Sequence, residues 1–382
     1  MYIRTIIAQM DEWLHTHHSF TIYGARQVGK TTLVKNYAEK SGLKYLYLDC
    51  DKFEVRKSLE VQDDIQFKKL IGDNKLLIID EAQRVNNIGL NMKIIHDNIP
   101  DVKVIATGSS ALDLASEIKE PMTGRDFDFY LYPLSLIELS QKYNYFDLNF
   151  RFEEFLLYGT YPDIVDLPSY KAKERQLMSL ADNYLYKDLL ELDLIKKTSI
   201  LKNLLRLLAF CVGSEVTNQS LAEKLEVKGE TVDKYIDLLE QCFIIKRIRP
   251  FNRKVSSEIK HPYKVYFWDL GIRNALMGDF KPLIARDDRS IGGLWENFVI
   301  IERIKKLSNE GIRVNHYFWR TSDTPNKEYD LIEEVNGELT VFEVKWGKSG
   351  VNKVKKYPVF FDAYKGSELH IISKDNFTDW LL

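Results

Sequence analysis

The chain has 382 residues, of which 45% are hydrophobic and 29% charged, and its formal net charge is −2 at pH 7. These values are typical of a folded protein with two or three domains, and they exclude a polycation that binds nucleic acid over its whole surface. The three cysteines, Cys50, Cys211 and Cys242, lie far apart and predict neither a disulfide framework nor a zinc site. Because the apolar runs are short and the first residues lack a signal-peptide core, we expect a cytoplasmic protein without membrane contact.

The first 140 residues alternate predicted strands with predicted helices. Helices are predicted at about Lys30–Ser41 and at Ile88–Asn98. Apolar runs predict strands at Ser19–Tyr23, Lys44–Leu48, Lys75–Asp80, Val102–Thr107 and Phe127–Leu131. This alternation is typical of a parallel sheet with both faces covered.

The segment after the first strand fits the phosphate-binding pattern GxxxxGK[ST], and a strand before it and a helix after it supply the expected context. Its glycines let backbone N–H groups surround phosphates, and the helix start adds the positive end of its dipole. We expect Lys30 to reach the β- and γ-phosphates and the Thr31 hydroxyl to ligate Mg²⁺. The predicted ATP-binding residues are Gly24, Ala25, Arg26, Gln27, Val28, Gly29, Lys30, Thr31 and Thr32.

Acidic residues end the apolar strand LLIID. Asp80 is predicted to bind Mg²⁺ with Thr31, and Glu81 is predicted to act as the base that polarises the attacking water. Ser109, at the tip of the strand VKVIAT, is the predicted sensor of the γ-phosphate. The adjacent Glu81 and the additional strand between the two motifs favour the catalytic-glutamate division of P-loop proteins over the Ras-like division.

Four segments resemble the AAA+ ATPase domain of bacterial and archaeal-type proteins that carry a C-terminal domain of unknown function, DUF4143. They are YGARQVGKTTL, LLIIDEAQR, VIATGSSALDL and TGRDFDFYLYPLSLIEL. The resemblance continues through YGTYPDIV, NYLYKDLLELD and VYFWDLGIRNAL, and it covers about residues 15–350. Where the family usually has two glycines before Tyr-Pro, this chain has Gly159 and Thr160.

The same resemblance makes Arg125 the candidate for an arginine that compensates charge on the γ-phosphate. It leaves open whether Arg125 acts within one chain or on a second copy, and therefore whether the protein is a homo-oligomer. The alternative is a surface arginine paired with Asp126 or Asp128. Arg26 and Arg84 are weaker candidates for the same role.

Residues 199–262 predict a winged helix-turn-helix, because a helix near Ser199–Val212 and a turn at Gly213 precede TNQSLAEKLEV, KGETVDKYIDLLEQCF and IIKRIRPF. Basic residues cluster at its end and predict contact with DNA phosphates. The predicted contact residues are Lys246, Arg247, Arg249, Arg253 and Lys254, with Lys260 and Lys264 close by. A module that packs against protein and a solvated charged wing remain as alternatives.

Four charged residues further along resemble the D…(D/E)xK core of restriction-endonuclease-like nucleases. Asp330 lies in EYDLIEEV, Glu343 and Lys345 lie in VFEVKWG, and Glu296 lies in the predicted helix LWENFVIIERIKK. In a strand Glu343 and Lys345 point to one face, where carboxylates and a lysine can hold Mg²⁺ and position water against a phosphodiester. The alternative is a strand with alternating exposed charges.

The sequence therefore predicts an α/β protein with a P-loop AAA+ parallel sheet at 1–140 and a helical lid or linker at 141–198. The winged helix-turn-helix at 199–262 and a DUF4143-type, restriction-endonuclease-like domain at 263–382 follow. The predicted function is hydrolysis of ATP with Mg²⁺, coupled to a C-terminal half that engages DNA. The alternative is a nucleotide-gated switch with little turnover, whose nuclease-like domain only recognises protein or DNA.

Overall fold

A computed structural model describes residues 2–109, 118, 120–187, 198–251, 262–321 and 327–382, the side chains of 183–187 and 288–289 excepted. The chain divides into two compact units. The first comprises Met1–Leu134 with Gln241–Phe243, and the second comprises Ser135–Glu240 with Ile244–Leu382. None of the helices in the described ranges is both long enough and apolar enough to cross a membrane.

The first unit contains the predicted alternation of strands and helices. Its strands are β1 Ser19–Tyr23, β2 Tyr45–Asp49, β3 Leu76–Asp80, β4 Lys103–Gly108 and β5 Asp126–Tyr130. Its helices are α1 Ile6–Trp13, α2 Lys30–Ser41, α3 Phe53–Leu59, α4 Asp64–Ile71 and α5 Ile88–Asn98, and a 3₁₀ turn covers Ala82–Arg84. The predicted strands and helices of this region are confirmed, with ends that differ by one residue.

The five strands form one parallel sheet in the order β2-β3-β4-β1-β5. Every residue of β1, β3 and β4 is buried, as expected for apolar strands that are covered on both faces. Strand β4 lies between β1, which leads into the phosphate-binding loop, and β3, which ends in Asp80. The carboxyl ends of all three strands therefore meet at one edge, which positions the candidate site.

The second unit begins with helices and continues with alternating helices and strands. Its helices are α6 Leu136–Ser140, α7 Tyr145–Tyr158, α8 Pro162–Val165, α9 Tyr170–Lys187, α10 Thr198–Phe210, α11 Asn218–Leu225, α12 Gly229–Gln241, α13 Leu270–Met277, α14 Asp288–Asn309, α15 Lys348–Val351, α16 Pro358–Phe361 and α17 Phe377–Leu381, with a 3₁₀ turn at Leu283–Ala285. Its strands are β6 Glu215–Val216, β7 Ile245–Pro250, β8 Tyr263–Phe267, β9 Asn315–Arg320, β10 Glu328–Val335, β11 Glu338–Val344 and β12 Glu368–Ile372.

These seven strands form a single mixed sheet in the order β12-β11-β10-β9-β7-β8-β6. Strand β8 is antiparallel to both β6 and β7, and β7 is parallel to β9. The predicted boundary at 262/263 therefore lies immediately before a strand whose two partners come from the preceding segment. Backbone pairing across this boundary joins residues 199–262 and 263–382 into one sheet, and local periodicity carries no information about such pairing.

Two sequence motifs of the second unit meet at a close backbone contact. Gly159 has a φ of +69°, and a Cβ at this position would lie 2.0 Å from Asp269 Oδ1. Asp269 accepts hydrogen bonds from the Thr160 N–H at 2.7 Å and from the Ile272 N–H at 3.0 Å. The Thr160 hydroxyl, which replaces the second glycine of the motif, accepts a hydrogen bond from Lys305 Nζ at 3.3 Å. The departure from the family pattern thus adds one polar contact.

Candidate functional site

The phosphate-binding loop owes its course to two glycines with different roles. Gly29 is the N-cap of α2 and has a φ of +98°, a backbone conformation that residues with a Cβ rarely adopt. Gly24 has no room for a Cβ, which would lie 2.2 Å from the Leu131 carbonyl oxygen. The side chains of Ala25 and Val28 are buried, so these residues offer only backbone groups to a ligand. Gln27 and Thr32 are exposed.

Two buried cations contact carbonyl groups of this loop. Lys30 Nζ donates to the Gly24 oxygen at 2.8 Å and to the Ala25 oxygen at 3.0 Å. Arg4 Nη1 donates to the Val28 oxygen at 2.8 Å, and its Nη2 donates to the Tyr132 oxygen. Arg4 was not predicted as a site residue, since nothing in its local pattern points to a partner 24 positions away.

Strand β3 places Asp80 against the start of α2. The Thr31 hydroxyl donates to Asp80 Oδ2 at 2.7 Å, and the Tyr47 hydroxyl donates to the same oxygen at 2.5 Å. The Thr107 hydroxyl donates to Asp80 Oδ1. Burial, and then Asp80, raise the pKa of Tyr47, which therefore remains a donor at neutral pH. A hydroxyl and a carboxylate in contact beside a phosphate loop are the oxygen ligands that Mg²⁺ prefers, so the residues fit this ion.

The structure brings Glu81 and Ser109 to the same sheet edge. Gln83 Nε2 donates to Glu81 Oε2 at 2.6 Å and to Ser109 Oγ at 3.1 Å. The Glu81 N–H donates to the Thr107 hydroxyl at 3.1 Å, and Glu81 has a φ of 55°. Gln83 and Thr107 were not predicted as site residues, although each lies two residues from one that was, Glu81 and Ser109.

Arg125 lies at the opposite end of the sheet from the phosphate loop of its own chain. It precedes β5, and its carbonyl accepts a hydrogen bond from the Ser19 N–H, at the start of β1. The loop follows the other end of β1, about 13 Å away at ~3.3 Å per residue. Its guanidinium binds Asp97 at 2.9 Å, not Asp126 or Asp128 as the alternative proposed.

The weaker arginine candidates differ in their surroundings. Arg84 Nε binds Asp51 Oδ1 at 2.7 Å, which directs its guanidinium to an exposed carboxylate. Arg26 is half-buried within the loop itself. Neither observation assigns an arginine to the γ-phosphate.

A second cluster of charged side chains forms on the sheet of the second unit. Asp330 on β10, Glu343 on β11 and Lys345 come together as the pattern predicted. Lys345 Nζ lies 3.1 Å from Asp330 Oδ2 and 2.6 Å from Glu343 Oε1. The Val344 N–H donates to Asp330 Oδ2 at 2.8 Å. Glu296 on α14 belongs to the same cluster through a residue that the nuclease pattern did not include.

That residue is Lys264 on β8. Its Nζ lies 3.0 Å from Glu296 Oε1, 2.6 Å from Glu328 Oε1 and 3.7 Å from Asp330 Oδ1. The Tyr266 hydroxyl donates to Glu296 Oε1 at 2.7 Å. The prediction that Lys264 adds to a solvent-facing phosphate patch is wrong, because its side chain is 3% exposed. The signal was a lysine inside the apolar strand YKVYF, since a buried lysine needs carboxylate partners.

The ionisation of this cluster follows from burial and from the two lysines. Burial has the largest effect on both Glu296 and Glu343 and raises the pKa of each to about 7, against the lowering effects of Lys264 and Lys345. Burial alone would raise the pKa of Asp330, but the two lysines lower it. Burial would lower the pKa of Lys264, yet its carboxylate neighbours raise it well above its ordinary value. Lys264 is therefore positively charged at neutral pH.

Within the described ranges, no group of three or more His, Cys, Asp or Glu side chains has an arrangement that would hold a metal ion. The candidate Mg²⁺ site beside the phosphate loop has only one carboxylate and one hydroxyl, so it is not a site of this type. The nuclease prediction required a carboxylate cluster that binds the metal directly.

The predicted DNA-contacting patch is divided by the structure. Arg247 is wrong as a DNA contact, because its side chain is 9% exposed and is surrounded by three carboxylates of α12. It lies 3.2 Å from Asp233 and 3.0 Å from Glu240, and it also binds Asp237. Lys246 and Arg249 are half-buried on β7. Arg253 and Lys254, with Lys260, lie outside the described residues.

Three stretches of the chain match known protein families. Residues 16–140 match the family described as an AAA domain. Residues 149–283 match a domain of unknown function, DUF8612, and residues 291–378 match the domain of unknown function DUF4143. The first match contains the phosphate loop and Asp80. The DUF4143 match contains all four carboxylates of the second cluster, Glu296, Glu328, Asp330 and Glu343, whereas Lys264 lies in the DUF8612 match.

Similar proteins include an uncharacterized protein of Haemophilus influenzae, which is 25% identical over 98% of this chain and 97% of its own length. An uncharacterized protein of Mycobacterium tuberculosis is 25% identical over 90% of this chain and 73% of its own length. Among solved structures, a Walker-type ATPase of Pyrococcus abyssi matches with a TM-score of 0.49 and 15% identity, over 71% of this chain and 94% of that one. The RuvB Holliday junction branch migration motor of Thermotoga maritima matches with a TM-score of 0.34 and 16% identity, over 66% and 93%.

Proposed function

Because the chain carries an AAA domain at 16–140 and a C-terminal DUF4143 domain at 291–378, we propose that it binds ATP with Mg²⁺ and hydrolyses it. The observation that carries this proposal is the 2.7 Å contact between the Thr31 hydroxyl and Asp80, beside the phosphate loop. Glu81 follows Asp80 at the same sheet edge, where a base for the attacking water is required.

Each residue has a role that its position supports. The loop from Gly24 to Gly29 surrounds the phosphates with N–H groups, and Lys30 neutralises phosphate charge. Thr31 and Asp80 would hold Mg²⁺, and the bound ion would neutralise charge that develops on the phosphate oxygens. Glu81 accepts a proton from water.

Gln83 suggests how turnover is controlled. Its amide holds Glu81 Oε2 at 2.6 Å, so the base has a partner other than water in this arrangement. The same amide contacts Ser109, the predicted sensor, at 3.1 Å. A change at Ser109 when the γ-phosphate binds would therefore pass to Glu81 through one side chain. This contact also favours the alternative of a nucleotide-gated switch with slow turnover.

We further propose that Arg125 acts on the nucleotide of a second copy of the chain. Its place at the sheet edge opposite its own phosphate loop supports a role between subunits of a homo-oligomer and not within one subunit. ATP is abundant in the cytoplasm, where we propose that the protein acts.

For the second unit we propose a winged helix-turn-helix joined to a nuclease-like sheet. The order α10, β6, α11, α12, β7, β8, with β8 between β6 and β7, supports the first part. Lys246 and Arg249 on β7 are the described residues that we retain as DNA contacts. The nucleotide state of the AAA domain is proposed to control this half.

The decisive experiment compares ATP turnover and ATP binding in Glu81→Gln. The amide cannot accept a proton, so turnover should fall by about 10²-fold or more while binding is retained. Lys30→Ala should lose binding itself. Glu39→Gln, an exposed glutamate on α2, is the matched control and should behave as wild type. Equal turnover in wild type and Glu81→Gln would refute the assignment of the base.

A further inference from the structure

A lysine ammonium group lies among the carboxylates of the second unit's charged cluster. Lys264 Nζ lies between Glu296, Glu328 and Asp330, at 3.0, 2.6 and 3.7 Å. On the other side of Asp330, Lys345 Nζ joins Asp330 Oδ2 to Glu343 Oε1, at 3.1 and 2.6 Å. Lys264 therefore bridges Glu296, Glu328 and Asp330, and Lys345 bridges Asp330 and Glu343.

A divalent cation in a nuclease-like site would need the same oxygens. Mg²⁺ binds carboxylate oxygens at about 2.0–2.1 Å with near-octahedral geometry, so it requires converging oxygens with no other cation between them. Glu296 Oε1 already accepts hydrogen bonds from both Lys264 and the Tyr266 hydroxyl. A metal ion bound to Glu296 and Asp330 would lie next to the buried Lys264 ammonium group, because Lys264 contacts both carboxylates. The two positive charges would repel each other strongly in this buried environment.

The position of Lys264 is built into the fold. It is the second residue of β8, a strand in which every residue is buried, and its Nζ also lies 5.6 Å from the centre of the Phe318 ring. Its partners come from two further elements, α14 and β10. Because β8 is the strand between β6 and β7 in the sheet, the fold places the Lys264 side chain among these carboxylates.

We propose that the Lys264 ammonium group takes the place of a divalent metal ion in this cluster. The ion pairs of the cluster then stabilise the second unit, and this site does not cut phosphodiesters by a metal-dependent reaction. The proposal goes beyond ATP hydrolysis, and it is independent of the phosphate loop. It predicts that the carboxylates become a metal site when the ammonium is removed.

The test is Mn²⁺ binding by the full-length, nucleotide-free chain, followed by electron paramagnetic resonance. Wild type and Asp330→Asn should bind Mn²⁺ alike, because wild type should have no Mn²⁺ site that depends on Asp330. Lys264→Met should gain one Mn²⁺ site per chain that wild type lacks, and Mn²⁺ should raise the melting temperature of this variant. The gain should vanish in the double variant Lys264→Met, Asp330→Asn.

Lys173→Met is the matched control. Lys173 is also 3% exposed in its side chain and binds one carboxylate, Glu154, at 2.7 Å. This variant should lose stability without gaining Mn²⁺, since one carboxylate does not make a metal site. A folded Lys264→Met that gains no Mn²⁺ would overturn the proposal.

If Lys264→Met does not fold, a comparison of wild type with Asp330→Asn still tests the proposal. A wild-type Mn²⁺ site that is lost in Asp330→Asn, or Mg²⁺-dependent DNA nicking that is lost in Asp330→Asn, overturns the proposal. Absence of both in wild type supports it. Neither readout involves ATP, so failure here is distinct from failure of the ATPase assignment.

Discussion

Replacement of Arg247 separates a structural role from a DNA-binding role. Arg247→Ala removes a cation that binds Asp233, Asp237 and Glu240 together, and it removes a cation–π contact with the Tyr263 ring at 5.5 Å. Three carboxylates would then remain close together on α12. We therefore expect the second unit to lose stability.

The magnitude follows from the exposure of the partners. Breaking a fully buried pair costs about 3–5 kcal/mol, whereas exposed pairs contribute about 0.2–1 kcal/mol each. Arg247 is 9% exposed, but Asp233 and Asp237 are 48% and 47% exposed, so water screens much of the repulsion that remains. Glu240 is 23% exposed and lies nearer the buried limit. We expect a loss of about 2–3 kcal/mol, which lowers the melting temperature by roughly 4–12 °C.

The assay measures thermal unfolding and DNA affinity over a range of salt concentrations, for Arg247→Ala and for the double variant Lys246→Ala, Arg249→Ala. The double variant should reduce DNA affinity and the salt slope by about two charges. Arg247→Ala should lower stability and leave the salt slope unchanged. If it unfolds as wild type does and its salt slope falls, the ion-pair reasoning is refuted.

Two further substitutions test the first unit. Gly24→Ala places a Cβ 2.2 Å from the Leu131 oxygen, so we expect a loss of about 1–3 kcal/mol in the free energy of unfolding and weaker ATP binding, whereas Gly347→Ala, which has open space, should change neither. Burial raises the pKa of Asp126 from 3.8 to about 8, so the native protein holds a proton that the unfolded chain releases. Its contribution to stability is complete below pH 3.8 and is lost as the pH rises through 8. The free energy of unfolding of Asp126→Asn, relative to wild type, should therefore rise by roughly 2–5 kcal/mol from pH 4 to pH 9, as measured by chemical denaturation. A difference from wild type that is the same at both pH values would contradict this.

Local patterns carried most of what could be predicted about the first unit. The phosphate loop depends on residues within eight positions, and glycine and lysine spacing determines how a loop passes from a strand to a helix. Asp80 and Glu81 were predictable because an apolar strand that ends in acids places them at a sheet edge. The parallel order then brings Asp80 to Thr31, as the spacing of the motifs indicated.

Long-range pairing decided the rest. Arg125 resembles a residue of the ATP site by its motif, but the register of β5 with β1 places it at the opposite end of the sheet. The basic residues of 246–264 look alike in the sequence, yet α12 surrounds Arg247 with carboxylates, and α14 and β10 do the same for Lys264. The sequence by itself determined which chemical groups the protein has and how the nucleotide loop is built. Only the tertiary structure decided which charges neutralise one another, because burial and pairing depend on elements that lie far apart along the chain.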